Sequence, residues 1–167
     1  MDYTIRSLNT KDEPIVWKML QYASHESSLE AVFKQPCLAI YASKWGRFGD
    51  LGCIAERLDL PIGMAWLRLW QNEAKGFGYV SNEIPELAIA VLPDYRGQGI
   101  GTNLLTQVLA MAQQHYPGVS LSVRENNPVL RLYQRAGFVK VLGSETFNRT
   151  GGKSFNMVRK FEAQINI

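Results

Sequence analysis

The order of apolar runs and turn signals predicts an α/β fold with a mixed sheet. Three stretches carry that expectation. An apolar run, residues 87–92, passes through a glycine-rich turn into an amphipathic helix. Two further runs, residues 52–57 and 62–70, flank a short turn and read as an antiparallel hairpin. Residues 119–124 then read as a strand that leads to another short helix, so strands and helices alternate through the second half.

Each element has its own signal. Residues 3–8 alternate as a short strand. Thr10 and Glu13 fit a capping box, with Thr10 as N-cap and Glu13 reaching back, and Pro14 falls in the first turn, where a missing N–H costs little. Ile15, Val16, Met19, Leu20 and Ala23 form the apolar face of the first helix. Polar residues 24–28 break it. A second helical region covers residues 29–44, interrupted at Pro36. Residues 45–50 form a loop carrying Trp45, Arg47, Phe48 and Asp50; a surface turn with a tucked aromatic and a wall of an acceptor site are both open readings.

The hairpin follows, with its turn at Asp59-Leu60-Pro61. Residues 71–78 are a polar connection, and residues 79–92 contain the strand that enters the glycine-rich turn. On that strand Ala88 and Ala90 lie on one face, and Leu87, Ile89 and Val91 on the other. The small-residue face leaves room for a ligand or for close helix packing. Leu104, Leu105, Val108, Leu109 and Ala112 fall on one face of the helix read over residues 103–115. In the next strand Val119, Leu121 and Val123 alternate with Ser120, Ser122 and Arg124. Asn127 caps a short helix with Pro128 at its first position, and Gly137 stops it in the left-handed conformation. Residues 138–142 and 154–161 read as the last strands, with Gly151-Gly152 in the turn between them.

The chain of 167 residues is expected to form one domain, residues 1–167, long enough to bury a sizeable core. Its hydrophobic fraction of 46% and charged fraction of 20% are ordinary for a soluble globular protein. A net charge of +3 is too small to argue for nucleic acid, although it suits an anionic cofactor. No run is long and apolar enough to span a membrane, and no signal core opens the chain, so a cytoplasmic location is expected. Cys37, Cys53, His25 and His115 are isolated, so neither a disulfide framework nor a metal site is expected.

The junction Val91-Leu92-Pro93-Asp94-Tyr95-Arg96-Gly97-Gln98-Gly99-Ile100-Gly101-Thr102 carries the chemistry. Glycines at alternate positions keep side chains away from the backbone N–H groups and permit the positive φ of a cupped turn. A helix start adds unpaired N–H donors and the positive end of a dipole. The turn therefore reads as a phosphate cradle. It lacks the Lys-Ser/Thr end of a P-loop, and its Gly-x-Gly-x-Gly spacing departs from the dinucleotide fingerprint, which disfavours a nucleotide-binding oxidoreductase.

With Arg96, Gly99 and Gly101 in an Arg-x-x-Gly-x-Gly pattern, the junction resembles the acyl-CoA pyrophosphate loop of the GNAT superfamily of N-acyltransferases. A second stretch resembles that superfamily's other signature: Asn126, Leu132, Tyr133, Gly137 and Phe138 match Asn-x-x-Ala-x-x-Leu-Tyr-x-x-x-Gly-Phe, with Val129 in place of the Ala. Two motifs in the right order are more specific than either alone, and the resemblance covers residues 3–161.

The resemblance implies a single domain built on a mixed, mostly antiparallel twisted sheet with helices on both faces. It implies an acetyl-CoA-dependent N-acetyltransferase, with acetyl-CoA as acyl donor and no metal. The pantetheine arm would pair with the backbone of Ile89, Ala90 and Val91. The pyrophosphate would meet the N–H groups of Arg96, Gly97, Gln98, Gly99, Ile100 and Gly101, with the Thr102 hydroxyl beside them, and Asn126 would bond the pantetheine arm. An amine must be neutral to attack a thioester, so a base is required. Glu86 is the first candidate and Glu83 the second. Tyr133 would protonate the leaving thiolate, and a backbone N–H near Val91 would face the oxyanion.

Cys53 in a strand reads as buried rather than as an acyl carrier, so direct transfer in a ternary complex is expected. The acceptor is expected to be a small-molecule amine or a peptide N-terminus, with Trp45, Phe48, Trp66, Trp70 and Tyr79 as candidate pocket residues. No nucleic-acid or membrane partner is expected, and a homodimer is left open. The alternative reading is a non-catalytic acyl-CoA-binding regulatory module on the same fold.

Overall fold

The computed structural model describes residues 1–71 and 74–162. Its backbone contacts gather into two compact units: Met1–Arg68 with Ala88–Met111, and Leu69–Leu87 with the chain from Ala112 on. Five strand pairings given by register are antiparallel and one is parallel, so the sheet is mixed and mostly antiparallel, as expected.

In the first unit, β1 (Thr4–Ser7), β2 (Leu51–Arg57) and β3 (Leu60–Arg68) run antiparallel in that order. Strand β4 (Glu86–Val91) lies next to β3, and its residues from Ala88 on belong to this unit. The β2–β3 turn sits at Leu58 and Asp59, with φ of 52° and 62°, and not at residues 59–61. Two positive φ values match the twist of a tight hairpin. Pro61 lies inside β3 at a register shift opposite Ala55 and Glu56, an irregularity that tolerates its missing N–H.

Helices α1 (Glu13–Ala23), α2 (Leu29–Phe33) and α3 (Pro36–Ala39) precede β2. The capping box falls one residue earlier than the sequence suggests. Asn9 Oδ1 accepts from Lys11 N at 2.9 Å, and Asp12 Oδ2 accepts from Asn9 N at 2.8 Å. Asp12 is chosen because Arg6 also grips both its oxygens at 2.9 Å, a contact from another element. Glu13 instead accepts from Trp45 N at 3.0 Å and Trp17 Nε1 at 3.3 Å. Helix α4 (Ile100–Gln113) begins three residues before the expected start, with Ile100 itself buried. Val16, Met19, Ile54, Met64, Leu104 and Val108 are fully buried here, each worth about 1.5–3 kcal/mol relative to exposure.

In the second unit, β5 (Gly118–Arg124) runs parallel to β4 with Glu86 opposite Ser120. Helix α5 (Leu130–Arg135) has Val129 as its N-cap with no side-chain cap, so the expected Asn127 cap and Pro128 first position are not formed; Asn127 Oδ1 instead accepts from Val129 N at 3.0 Å in the turn before the helix. It ends at Gly137, φ 93°, where Phe138 N reaches back to Tyr133 O at 3.0 Å. Strands β6 (Val139–Lys140) and β7 (Thr146–Phe147) both pair with β8 (Lys153–Lys160), which pairs antiparallel with β5. The expected strand over residues 138–142 is thus shorter, and β7 was not anticipated. Ser120 is fully buried although its alternation placed it on a polar face. A strand flanked by pairing on both edges buries polar positions that can find a partner.

Candidate active site

The glycine-rich junction is built from both ends. Leu92 N donates to Ile62 O at 2.9 Å, which ties the end of β4 to β3. A single 3-10 turn, Pro93–Tyr95, then reverses the chain. Gly97 and Gly99 adopt φ of 73° and 83°, the left-handed conformation that favours glycine. The first backbone bond of the new helix is Asn103 N to Gly99 O at 3.1 Å. The Arg96 N–H, expected in the cradle, is taken up by Pro93 O at 3.3 Å in the preceding turn, whereas among the described residues no acceptor meets the N–H groups of residues 97–102. A Cβ on Gly97 or Gly99 would touch nothing within 4 Å, so the space in front of these residues is open. Unpaired N–H donors at a helix start, with open space beside Gly97 and Gly99, are the features an anion-binding turn requires.

The side chains around the turn have separate tasks. Arg96 is exposed, and its Nε donates to Val91 O at 3.0 Å, which folds the guanidinium back on the strand end. Gln98 Nε2 donates to Asp94 O at 3.3 Å. Thr102 is exposed at the helix start, and Gly101 is half-buried. On β4, Ala90 is buried while Ile89 and Val91 are half-buried. Gly63 faces this strand: a Cβ there would stand 3.1 Å from Ala90 O and 3.0 Å from Leu104 Cδ1. Cys53, in the same unit, points its thiol at Leu104 O at 3.6 Å, and burial pushes it up to about 12. A thiol so held stays neutral and unreactive.

In the second unit, Glu86 is buried rather than exposed at a strand end. Its Oε1 accepts from Trp70 Nε1 and from Gly78 N, each at 2.9 Å. These donors compensate the burial of a carboxylate. Neither contact is visible in the local sequence. The only trace of them is an indole and a glycine in a segment with little secondary structure. Glu83, three residues earlier, is exposed. Asn126 is exposed in the turn after β5.

Tyr133 is buried on α5, with its ring edge-on to Phe138 at 6.0 Å. Burial pushes its phenol up to about 12. Among the described residues its hydroxyl has no hydrogen-bond partner, while every fully buried side-chain N or O has one. The Tyr133 oxygen therefore retains some accessible surface.

Of the proposed pocket aromatics, the tryptophans serve the interior. Trp45, Trp66 and Trp70 are buried, with indole N–H groups paired to Asn9 O, Tyr41 O and Glu86. Phe48 is 93% exposed, and Tyr79 is half-buried with Lys75 Nζ over its ring. Among the described residues no group of three or more His, Cys, Asp or Glu is arranged to hold a metal ion, and no helix is long and apolar enough to cross a membrane.

Comparison with known proteins gives a consistent picture. The sequence model of the Acetyltransferase (GNAT) family matches residues 7–138. The peptidyl-lysine N-acetyltransferase YjaB of Salmonella typhimurium is 34% identical over 92 residues, which cover 54% of this chain and 57% of that protein. The chain thus spans little more than half the length of that relative. The structure of yncA from Salmonella typhimurium with its cofactor acetyl-CoA superposes with a TM-score of 0.70 at 16% identity, over 100% of this chain and 98% of that one. The ribosomal-protein-S18-alanine N-acetyltransferase of Escherichia coli gives 0.69 at 21% identity, over 99% of both chains. At these identities the structural likeness is one of fold.

Proposed function

The chain belongs to the acetyltransferase (GNAT) family, and on that premise we propose that it moves an acetyl group from acetyl-CoA to a primary amine, directly and in a ternary complex. The observation that carries this reading is the run of unpaired N–H groups over residues 97–102, opened by the left-handed Gly97 and Gly99. Unpaired N–H donors at a helix start attract an anion such as a pyrophosphate, which supports this reading. Arg96 adds a cation beside it, and the Thr102 hydroxyl a further donor. The backbone of Ile89, Ala90 and Val91 is assigned to the pantetheine arm, with Asn126 as a side-chain contact.

Acetyl-CoA supplies a thioester whose acyl carbon bonds to the amine nitrogen as its carbon–sulfur bond breaks. The chain's own residues handle the protons. Glu86 takes one from the amine through water, since its burial and its two N–H partners keep the acceptor itself off the carboxylate. Glu83, exposed, is the second choice. Tyr133 gives its proton to the departing sulfur; its unpartnered hydroxyl supports that role. The desolvation that keeps the phenol neutral would also raise the proton affinity of a thiolate beside it, so donor and acceptor move together.

The acceptor is a small-molecule amine or a peptide amine. The name of the YjaB relative adds lysine side chains of peptides to that class. A screen of amines with acetyl-CoA, read by thiol release, tests the reading. Turnover of at least one amine is expected. Tight acetyl-CoA binding without turnover on a broad panel would favour a regulatory module on the same fold.

A further inference from the structure

The segment before β4 is held at one glycine from several sides. Gly78 N–H donates to Glu86 Oε1 at 2.9 Å, and Gly78 O accepts the Ser120 hydroxyl at 2.7 Å. A Cβ on Gly78 would stand 2.7 Å from the Leu121 carbonyl carbon and 2.7 Å from Ser122 N, both backbone atoms. Only glycine allows so close an approach.

The next residue, Tyr79, is fixed in turn. Its N–H donates to Gly76 O at 3.2 Å, its carbonyl accepts from Asn156 Nδ2 at 3.5 Å, and its phenol donates to Asn82 Oδ1 at 2.7 Å. The ring so held carries an ammonium, with Lys75 Nζ 4.2 Å from its centroid. That distance is well inside the range where an aromatic face attracts a cation. Among the described residues no carboxylate pairs with Lys75.

We propose that the Tyr79 ring is the seat on which the ammonium group of the amine acceptor docks, with Lys75 as its resident stand-in. The inference rests on the transfer reading above and names the acceptor as a primary alkylamine that arrives protonated. Tyr79 adjoins Gly78, whose N–H is bonded to Glu86. An ammonium on the ring therefore docks beside the segment that carries the carboxylate assigned to its proton. A ring already locked at both its backbone and its hydroxyl loses little freedom when it binds. Lys75 competes for the same face, so alkylamines pay for its displacement with affinity.

The test is a titration of butylammonium chloride into the parent, Lys75→Gln and Tyr79→Leu, with the Tyr79 ring resonances followed by NMR. The resonance missing from Tyr79→Leu gives the assignment. A saturable shift is expected in the parent, at about two- to fivefold lower concentration in Lys75→Gln. A ring that moves in neither protein overturns the seat, whatever the turnover.

Kinetics give a second arm. The KM of N-α-acetyl-lysine amide is expected to rise about two- to fivefold in Tyr79→Leu and to fall in Lys75→Gln. The KM of an arylamine, neutral at the assay pH, stays in place. Equal changes for both amines overturn the seat. Acetyl-CoA affinity, measured by calorimetry in the same proteins, separates the two readings. If the seat alone is wrong it stays intact, whereas a parent that does not bind acetyl-CoA overturns both.

Discussion

Tyr133 and Glu86 are both buried, and the proton-transfer roles proposed for them can be tested one residue at a time. Tyr133→Phe keeps the ring and its edge contact with Phe138 but removes the donor, and should lower turnover about 10²–10⁴-fold with acetyl-CoA affinity nearly unchanged. Equal turnover would leave Tyr133 a packing residue. Its phenol is pushed up to about 12 by burial, against about 10 in an unfolded chain. The unfolded form therefore loses its proton first. The stability tied to Tyr133 is complete below pH about 10 and is lost as pH rises through about 12. An unfolding series in that window should show a shallower loss for Tyr133→Phe than for the parent. Glu86→Gln keeps an oxygen for Trp70 and Gly78 while removing the base. Its turnover should fall most at neutral pH and recover in part at high pH, where free amine is abundant. An unchanged pH–rate profile would move the role to Glu83 or to bulk water. The role expected of Tyr133 came from its place in the second motif, and that of Glu86 from its place on the strand just before the stretch assigned to the cofactor. Their environments could not be read there, because Trp70, Gly78 and Ser120 reach Glu86 and its clamp only through the fold.

At the scale of elements, local patterns named most strands and helices, while contacts between elements set their ends. Two overlapping cap patterns compete at residues 9–13, and Arg6 decides between them by gripping Asp12. The hairpin turn at Leu58 and Asp59 uses left-handed φ at residues with no glycine, so composition gave no signal and the proline two residues later drew the expectation. Helix α4 takes in Gly101 because Ile100 is buried and anchors the first turn. The strand–glycine–helix junction itself was legible, since an apolar run, alternate glycines and helical periodicity are all local. The Asp12 cap makes a prediction at this scale. The Arg6 guanidinium, and then the Asn9 N–H, hold the Asp12 carboxyl below the usual carboxylate range. Its stabilising contribution is present above pH about 4 and is lost as pH falls through the lower folded value. Asp12→Ala should cost about 1–2 kcal/mol at neutral pH by urea unfolding, and the difference from the parent should shrink in acid. A constant difference down to the lowest pH would show that the cap does not depend on the charge.

For the molecule as a whole, the proposed transfer turns on one contact, between an anionic acyl donor and the N–H groups of residues 97–102. A ligand that binds only the folded chain stabilises it by about 2.7 kcal/mol at a hundred times its Kd, so acetyl-CoA should raise the melting temperature. Gly99→Val isolates the cradle. A Cβ at this position meets nothing within 4 Å beyond its chain neighbours, so the new side chain enters the open space proposed for the phosphate. The positive φ of Gly99 adds a folding cost of about 1–2 kcal/mol, which a domain can absorb. The direct measurement is a calorimetric titration of acetyl-CoA into the parent and into folded Gly99→Val. One site per chain is expected in the parent, and a Kd weaker by about tenfold or more in the variant, the loss of about 1.4 kcal/mol of binding free energy. Equal affinity in the two folded proteins would contradict the proposed contact.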